Sequence, residues 1–250
     1  MTEYLTTPQG RRLAYNRSAG RGPGIVFLGG FKSDMEGTKA RALHDWAKAQ
    51  GRAFLRFDYS GHGQSSGEFE DGCIGDWRDD ARAAVEALTE GPQVLVGSSM
   101  GGWIALLLAR EMPDRIAGLV GIAAAPDFTT LTWDQELTEA QRDEVRRNGR
   151  TTMDSGDPAN PFVFNAKLFE DGTRQRVTDR PLALPFPTRL LQGTADADVL
   201  PQVATGLLAH ASGPDIRLTL VKDADHRFST PDCLDLIAAT VAEVLERAGR

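Results

Sequence analysis

Six short apolar runs, GIVFLG, AFLRFDY, QVLVGS, IAGLVGIAAA, TRLLQG and IRLTLVKD, punctuate the chain, and longer segments of helical period lie between them. Short runs rich in Val, Ile, Leu and Phe suit strands buried on both faces, and helix-length segments between such strands act as crossovers joining parallel neighbours. The expectation is an α/β chain: a mostly parallel central sheet with helices on both faces. Among the crossovers, MEGTKARALHDWAKAQG stops at Gly51 and IGDWRDDARAAVEALTEGP at Gly91 and Pro92. The latter gathers Trp77, Ala81, Ala84, Val85 and Leu88 on one side, which assigns them to the core. The opening YLTTPQGRRLAYNRS reads as two short strands about a turn at residues 8–10, an antiparallel edge to the sheet.

The rhythm breaks over residues 126–187. Here DFTTLTWDQELTEAQRDEVRRNGR reads as one or two helices, and DSGDPANPFVFNAKLFEDG as loop with a short element. An excursion this long between two sheet strands is uncommon unless it covers a ligand site. Residues 127–187 are therefore expected to form a cap or lid inserted into one domain spanning residues 1–250, since no linker divides the chain.

Composition narrows the class of function. The 41% hydrophobic and 25% charged fractions match soluble globular chains, and the net charge of −7 comes with scattered basic residues. That leaves no electrostatic footprint for nucleic acid or an anionic membrane. No stretch approaches 18 uninterrupted apolar residues, and the first residues lack a basic region followed by an apolar run, so neither stable membrane insertion nor export is expected. Cys73 and Cys233 fit no metal-ligand spacing and are expected as free thiols in a reducing compartment. Cys73, in DGCIG, has no neighbouring Lys or Arg to activate it as a nucleophile. Together these features predict a cytoplasmic protein.

The stretch VGSSMGG, residues 96–102, carries the chemistry. A strand runs straight into the helix GGWIALLLAREM, and Gly97, Ser99 and Gly101 satisfy Gly-x-Ser-x-Gly, whereas Ser98 does not. Glycines two residues to either side remove the side chains that would collide on such a turn, so Ser99 is the candidate nucleophile. The backbone N–H of Met100, at the helix start, is placed to hold negative charge on a substrate oxygen. A serine hydroxyl needs a base, and the chain has four histidines. His44 sits in a helix beside Asp45 and reads as a solvated face residue; His210 closes a helix and suits its dipole. His62, in DYSGHGQSSG, shapes a turn. His226, in VKDADHRF, follows the last strand, on the same sheet edge as Ser99, where open α/β sheets assemble their sites. An acid must orient that imidazole. LLQGTADADVLP offers Asp196, the first candidate, and Asp198, the second; Asp225 adjoins His226 too closely to reach its Nδ1 and is placed on the loop surface.

The order Ser99, Asp196, His226, each just after a predicted strand, is that of α/β-hydrolases. The strings GFKSDMEGTKA, FLRFDYSGHGQSSG, GPQVLVGSSMGGW and DHRF further resemble the branch of that family containing the mitochondrial palmitoyl-protein thioesterase, also an acyl-glucuronide esterase. The resemblance spans most of the chain and fades over residues 127–187. It implies the α/β-hydrolase fold and hydrolysis of acyl thioesters or esters, small or protein-linked, without a cofactor or metal. GGFKS is similar to the family's His-Gly-x-x turn, with Gly29 in the histidine's place, which makes the N–H of Phe31 the second oxyanion donor. Substrate choice falls to the insertion, where Phe128, Leu131, Trp133, Phe162, Phe164 and Phe169 are candidates to line an acyl pocket. The mitochondrial location is not expected to carry over, because no transit peptide is seen before the first strand. A peptidase or amidase, or a ligand-binding receptor on the same scaffold, are the competing readings; dehalogenase or epoxide hydrolase chemistry is disfavoured by a serine where those relatives use aspartate.

Overall fold

The predicted alternation is present in the computed structural model, which describes residues 2–154 and 161–249. In chain order come β1 (Glu3–Thr6), β2 (Arg12–Ser18), β3 (Arg21–Leu28), α1 (Thr38–Ala49), β4 (Arg52–Phe57), α2 (Ile74–Leu88), β5 (Gln93–Ser98), α3 (Met100–Glu111) and β6 (Ile116–Ile122). Then follow α4 (Phe128–Leu131), α5 (Glu139–Asn148), β7 (Arg150–Met153), β8 (Phe162–Asn165), α6 (Ala166–Arg174) and β9 (Leu182–Ala183). The chain closes with β10 (Thr188–Gly193), α7 (Pro201–His210), β11 (Ala211–Ser212), β12 (Ile216–Val221) and α8 (Pro231–Ala248).

Eight strands form one sheet in the order β1-β2-β4-β3-β5-β6-β10-β12. The amino-terminal β1 and β2 pair antiparallel, as does β2 with β4, and every later pairing in that sheet is parallel. Alternation along β3 shows how the sequence builds two faces: Ile25 and Phe27 pack with α1 and α8, while Val26 and Leu28 pack with α2 and α3. All six residues of β5 are buried, as suits a central parallel strand. The helix α3 is buried nearly all round, including Met100, Trp103, Ile104 and Leu107. It can be apolar on every side because part of the segment between β6 and β10 lies over it: Trp103 Nε1 donates to the Gln175 carbonyl at 3.1 Å, and its ring meets Phe128 edge-on.

The segment between β6 and β10 is more ordered than a loop. It holds α4, a π-helical turn at Thr132–Glu136, α5, the antiparallel pair β7 and β8, and α6. Part of the expected loop, residues 155–160, lies outside the described residues. Asp127 ties the two ends of the segment, its carboxylate accepting from the N–H groups of Val177 at 2.9 Å and Thr178 at 3.0 Å.

Two residues depart from the sequence reading. His44 is half-buried rather than solvated: its ring stacks on Phe54 at 4.8 Å and its Nδ1 accepts from Arg56 Nε at 3.0 Å, because the sheet brings an arginine to that helix face. Leu88 is half-buried at the end of α2, whereas Trp77, Ala81, Ala84 and Val85 are fully in the core.

Candidate active site

β5 ends at Ser98, and the next residue turns the chain into α3 with φ 54° and ψ −119°. A non-glycine residue in that region costs on the order of 1–3 kcal/mol and persists only where its surroundings hold it. The surroundings are the two glycines: a Cβ on Gly97 would stand 2.3 Å from the Gly101 carbonyl oxygen, and one on Gly101 would stand 2.0 Å from that of Leu28. Backbone bonds complete the clamp, with Ser99 N–H donating to Ile122 at 2.9 Å and the Ser99 carbonyl accepting from Gly102 at 2.8 Å.

The other two predicted residues reach this turn from loops at the same sheet edge. His226 follows β12 and Asp196 follows β10. Their loops touch because residue 193 lacks a side chain, where a Cβ would lie 2.1 Å from the Ala224 carbonyl oxygen. Ala195 N–H donates to that same oxygen at 3.0 Å. His226 Nε2 then stands 3.1 Å from Ser99 Oγ, and its Nδ1 2.9 Å from Asp196 Oδ2. With Nδ1 facing a carboxylate, the proton belongs on Nδ1 and Nε2 is left as acceptor for the serine hydroxyl.

Asp196 is buried, which by itself would raise its pKa. Hydrogen bonds from His226, Val199 and Gln192 outweigh that burial and hold the carboxyl below its ordinary range. Its Oδ1 takes the N–H groups of Asp198 at 3.0 Å and Val199 at 2.8 Å, and its Oδ2 takes Gln192 Nε2 at 2.9 Å. Asp198 thus joins through its backbone, its carboxylate lying exposed. Asp196, Asp198 and His226 do bring ligand-type atoms within 4.8 Å of one another. The donors ringing Asp196, however, already occupy both of its oxygens, where a cation needs them free. Asp225 keeps to its own loop, accepting from Phe228 N–H at 3.1 Å.

The loop after β3 passes close to the serine: a Cβ on Gly30 would be 3.5 Å from that of Ser99. Among the described residues, the N–H groups of Phe31 and Met100 donate to no other protein group. The remaining histidines stand apart. His62 is buried among Tyr59, Phe69 and Trp77, and its Nδ1–H faces the Ser60 carbonyl at 3.1 Å. Burial drives its pKa down to about 4, only partly offset by that bond. His210 Nε2 donates to the carbonyls of Val177 at 3.1 Å and Arg180 at 2.8 Å, anchoring the end of the insertion. Burial also pushes the Cys73 thiol up to about 12, away from thiolate chemistry.

Of the aromatic candidates, Phe128, Phe162 and Phe164 gather round the Phe31 ring at centroid distances of 5.5, 6.0 and 5.4 Å. Phe69 and Trp77 join the same cluster at 4.7 and 5.9 Å. Trp133 lies further out, against Phe169 at 5.0 Å, in a cleft of about 360 Å³ that Val145 and Ala166 also line. Leu131 is half-buried at the end of α4. Sequence reasoning missed Gln192, Phe69 and Trp77 as neighbours of the site. The one signal for Gln192 was a polar residue closing the otherwise apolar TRLLQG; the ring cluster had none beyond composition.

Comparison with known proteins follows the same lines. A family described as the alpha/beta hydrolase fold matches residues 27–152. The human palmitoyl-protein thioesterase ABHD10, mitochondrial, is 34% identical over 251 residues, covering 98% of this chain and 80% of its own length. A solved structure from Agrobacterium vitis S4 superposes with TM-score 0.93 at 38% identity, covering 98% of each chain. The mouse alpha/beta hydrolase domain-containing protein 10 gives 0.91 at 32% identity, again over 98% of each. These relatives correct one expectation. The cytoplasmic location, and the reading that a mitochondrial one does not carry over, are overturned by matches over 98% of this chain to proteins named as mitochondrial. No helix among the described residues is long and apolar enough to cross a membrane.

Proposed function

This chain belongs to the α/β-hydrolase family, and on that premise we propose that it is a serine hydrolase of acyl thioesters and carboxylic esters, working through an acyl-enzyme. The observation that carries the reading is the continuous hydrogen-bonded line Ser99 Oγ, His226 Nε2, His226 Nδ1, Asp196 Oδ2, at 3.1 and 2.9 Å. Ser99 Oγ attacks the acyl carbonyl as His226 Nε2 removes its proton. Asp196 holds the imidazole in the Nδ1–H tautomer and stabilises the imidazolium. The N–H groups of Phe31 and Met100 stabilise the tetrahedral oxyanion. His226 passes the proton to the departing sulfur or oxygen, then activates the water that cleaves the acyl-enzyme. The kinship with palmitoyl-protein thioesterases supports thioesters over amides, whose leaving groups are poorer.

Residues 127–187 act in this reading as a cap on the single domain, and the rings about Phe31 form the acyl-binding wall. A preference for medium to long acyl chains follows. The test is a series of para-nitrophenyl esters and acyl-CoA thioesters of rising chain length beside aminoacyl amides, with fluorophosphonate labelling of wild type and Ser99→Ala. Ser99→Ala should lose label and about a million-fold in kcat. Faster amide than thioester cleavage would replace the reading by a peptidase. Labelling without turnover of any ester would replace it by a receptor, and a flat profile from acetyl to palmitoyl would remove the acyl pocket.

A further inference from the structure

GFKSDMEGTKA and DHRF supply the proposed chemistry with one backbone N–H and one imidazole. Their remaining residues meet at a cavity of about 290 Å³ whose lining includes Ser33, Asp34, Lys39, Ser98, Arg227 and Ser229. Ser98 directly precedes the nucleophile, and Arg227 and Ser229 continue the loop that carries His226. None of the rings around Phe31 lines this space.

Charge distinguishes the cavity. Lys39 is half-buried and its ammonium donates to the Arg227 carbonyl. Burial lowers its pKa; Asp225 pulls it partly back, and the nearby Arg227 guanidinium lowers it further. Elsewhere Arg41, Lys167 and Arg247 are paired with carboxylates, whereas among the described residues neither Lys39 nor Arg227 is in an ion pair. Asp34, the acid in the lining, turns to its own loop, its Oδ1 accepting from Glu36 N–H at 2.9 Å. Lys39, half-buried, and Arg227, exposed, repel one another with only Asp225 nearby to offset it, and an anion beside them relieves the repulsion further. Position says which part of a substrate arrives there. The leaving group departs toward the nitrogen that protonates it, hence beside the His226 loop.

We propose that this cavity is a leaving-group subsite for a carboxylate carried close to the scissile bond and bound by Lys39 and Arg227. It rests on the Ser99–His226 reading above and adds a substrate requirement to it. The test uses matched pairs sharing one acyl group: S-acyl-cysteinyl peptides with Glu or Gln beside the cysteine, and para-nitrophenyl esters with or without a ring carboxylate. Wild type should favour the charged member of a pair, chiefly through KM. Arg227→Gln should cut that preference about tenfold, the weight of one charge-assisted hydrogen bond, and Arg227→Lys should retain most of it. Both members of a pair use the same serine and histidine, so a disturbed His226 loop slows both and cancels in the ratio. Preference in the peptide pair alone assigns the carboxylate to a side chain beside the acylated cysteine; in the ester pair alone, to a small leaving group. No preference in either pair, or one that neither Arg227→Gln nor Lys39→Met reduces, overturns the subsite. Failure of the parent reading is separate and visible: no substrate of either kind is cleaved, and fluorophosphonate labelling does not depend on Ser99.

Discussion

Asp196 and Asp198 are two residues apart and chemically identical, yet their surroundings divide them. The first is buried with four donors around it, including Gln192; the second is exposed. Asp196→Asn should therefore lower kcat about ten-thousand-fold by presenting the wrong tautomer, while Asp198→Asn should stay within about threefold of wild type on the same thioester. His62 makes a stability prediction. Its folded pKa, about 4, lies below the ordinary 6.5, so the unfolded chain binds the proton more readily. Stability contributed by the neutral ring is intact above pH 6.5, falls as pH drops toward 4, and levels off below; the whole span is worth about 3 kcal/mol. Urea unfolding of wild type and His62→Gln across that window should show the difference between them shrink on acidification. At this scale the meeting of Ser99 and His226 was legible because a turn's steric needs are local and the order of serine, acid and histidine is read directly along the chain. Gln192 was not, since nothing in TRLLQG tells that its amide folds back onto a carboxylate four residues later.

The turn between β5 and α3 depends on close approach, and two glycines separate that from mere flexibility. Gly101→Ala would place a methyl 2.0 Å from the Leu28 carbonyl oxygen, on backbone that cannot yield. It should cost several kcal/mol, on the order of an overpacked core or more, read as a lower urea midpoint together with lost labelling. Gly206→Ala, within α7 and with nothing within 4 Å, should instead stabilise by about 0.5–1 kcal/mol. The sheet strands and crossover helices could be read because burial on both faces forces long apolar runs and amphipathic periods. The pairing of β7 with β8 could not: each has four residues, and Met153 meets Phe162 only because the insertion folds on itself. Nor does any local pattern announce the π-helical turn that carries Trp133.

Across the molecule, the insertion and the body share one continuous core in which Phe164, Phe169 and Leu168 pack with Trp77 and Trp103. The rings that face the proposed acyl group are thus also part of what holds the insertion down. Phe162, half-buried at the edge of the cluster, is the ring whose loss costs least packing. Phe162→Ala should lower kcat/KM for palmitoyl relative to acetyl thioesters by about tenfold against the wild-type ratio, since only the long chain loses that wall. Sequence reasoning named three of the rings but not their gathering on Phe31, because that requires β8 to be laid beside the loop after β3. A practical consequence follows from the spacing of the reacting groups. Ser99 and His226 are separated by 127 residues, and Asp196 and His226 by 30. On the proposed mechanism, a chain truncated within the insertion, or folded only as far as β6, keeps its serine but lacks the base that would arm it. On that mechanism, stoichiometric capture of a fluorophosphonate should count complete native molecules one by one, giving a titre of intact protein where a spectroscopic signal would report only average structure.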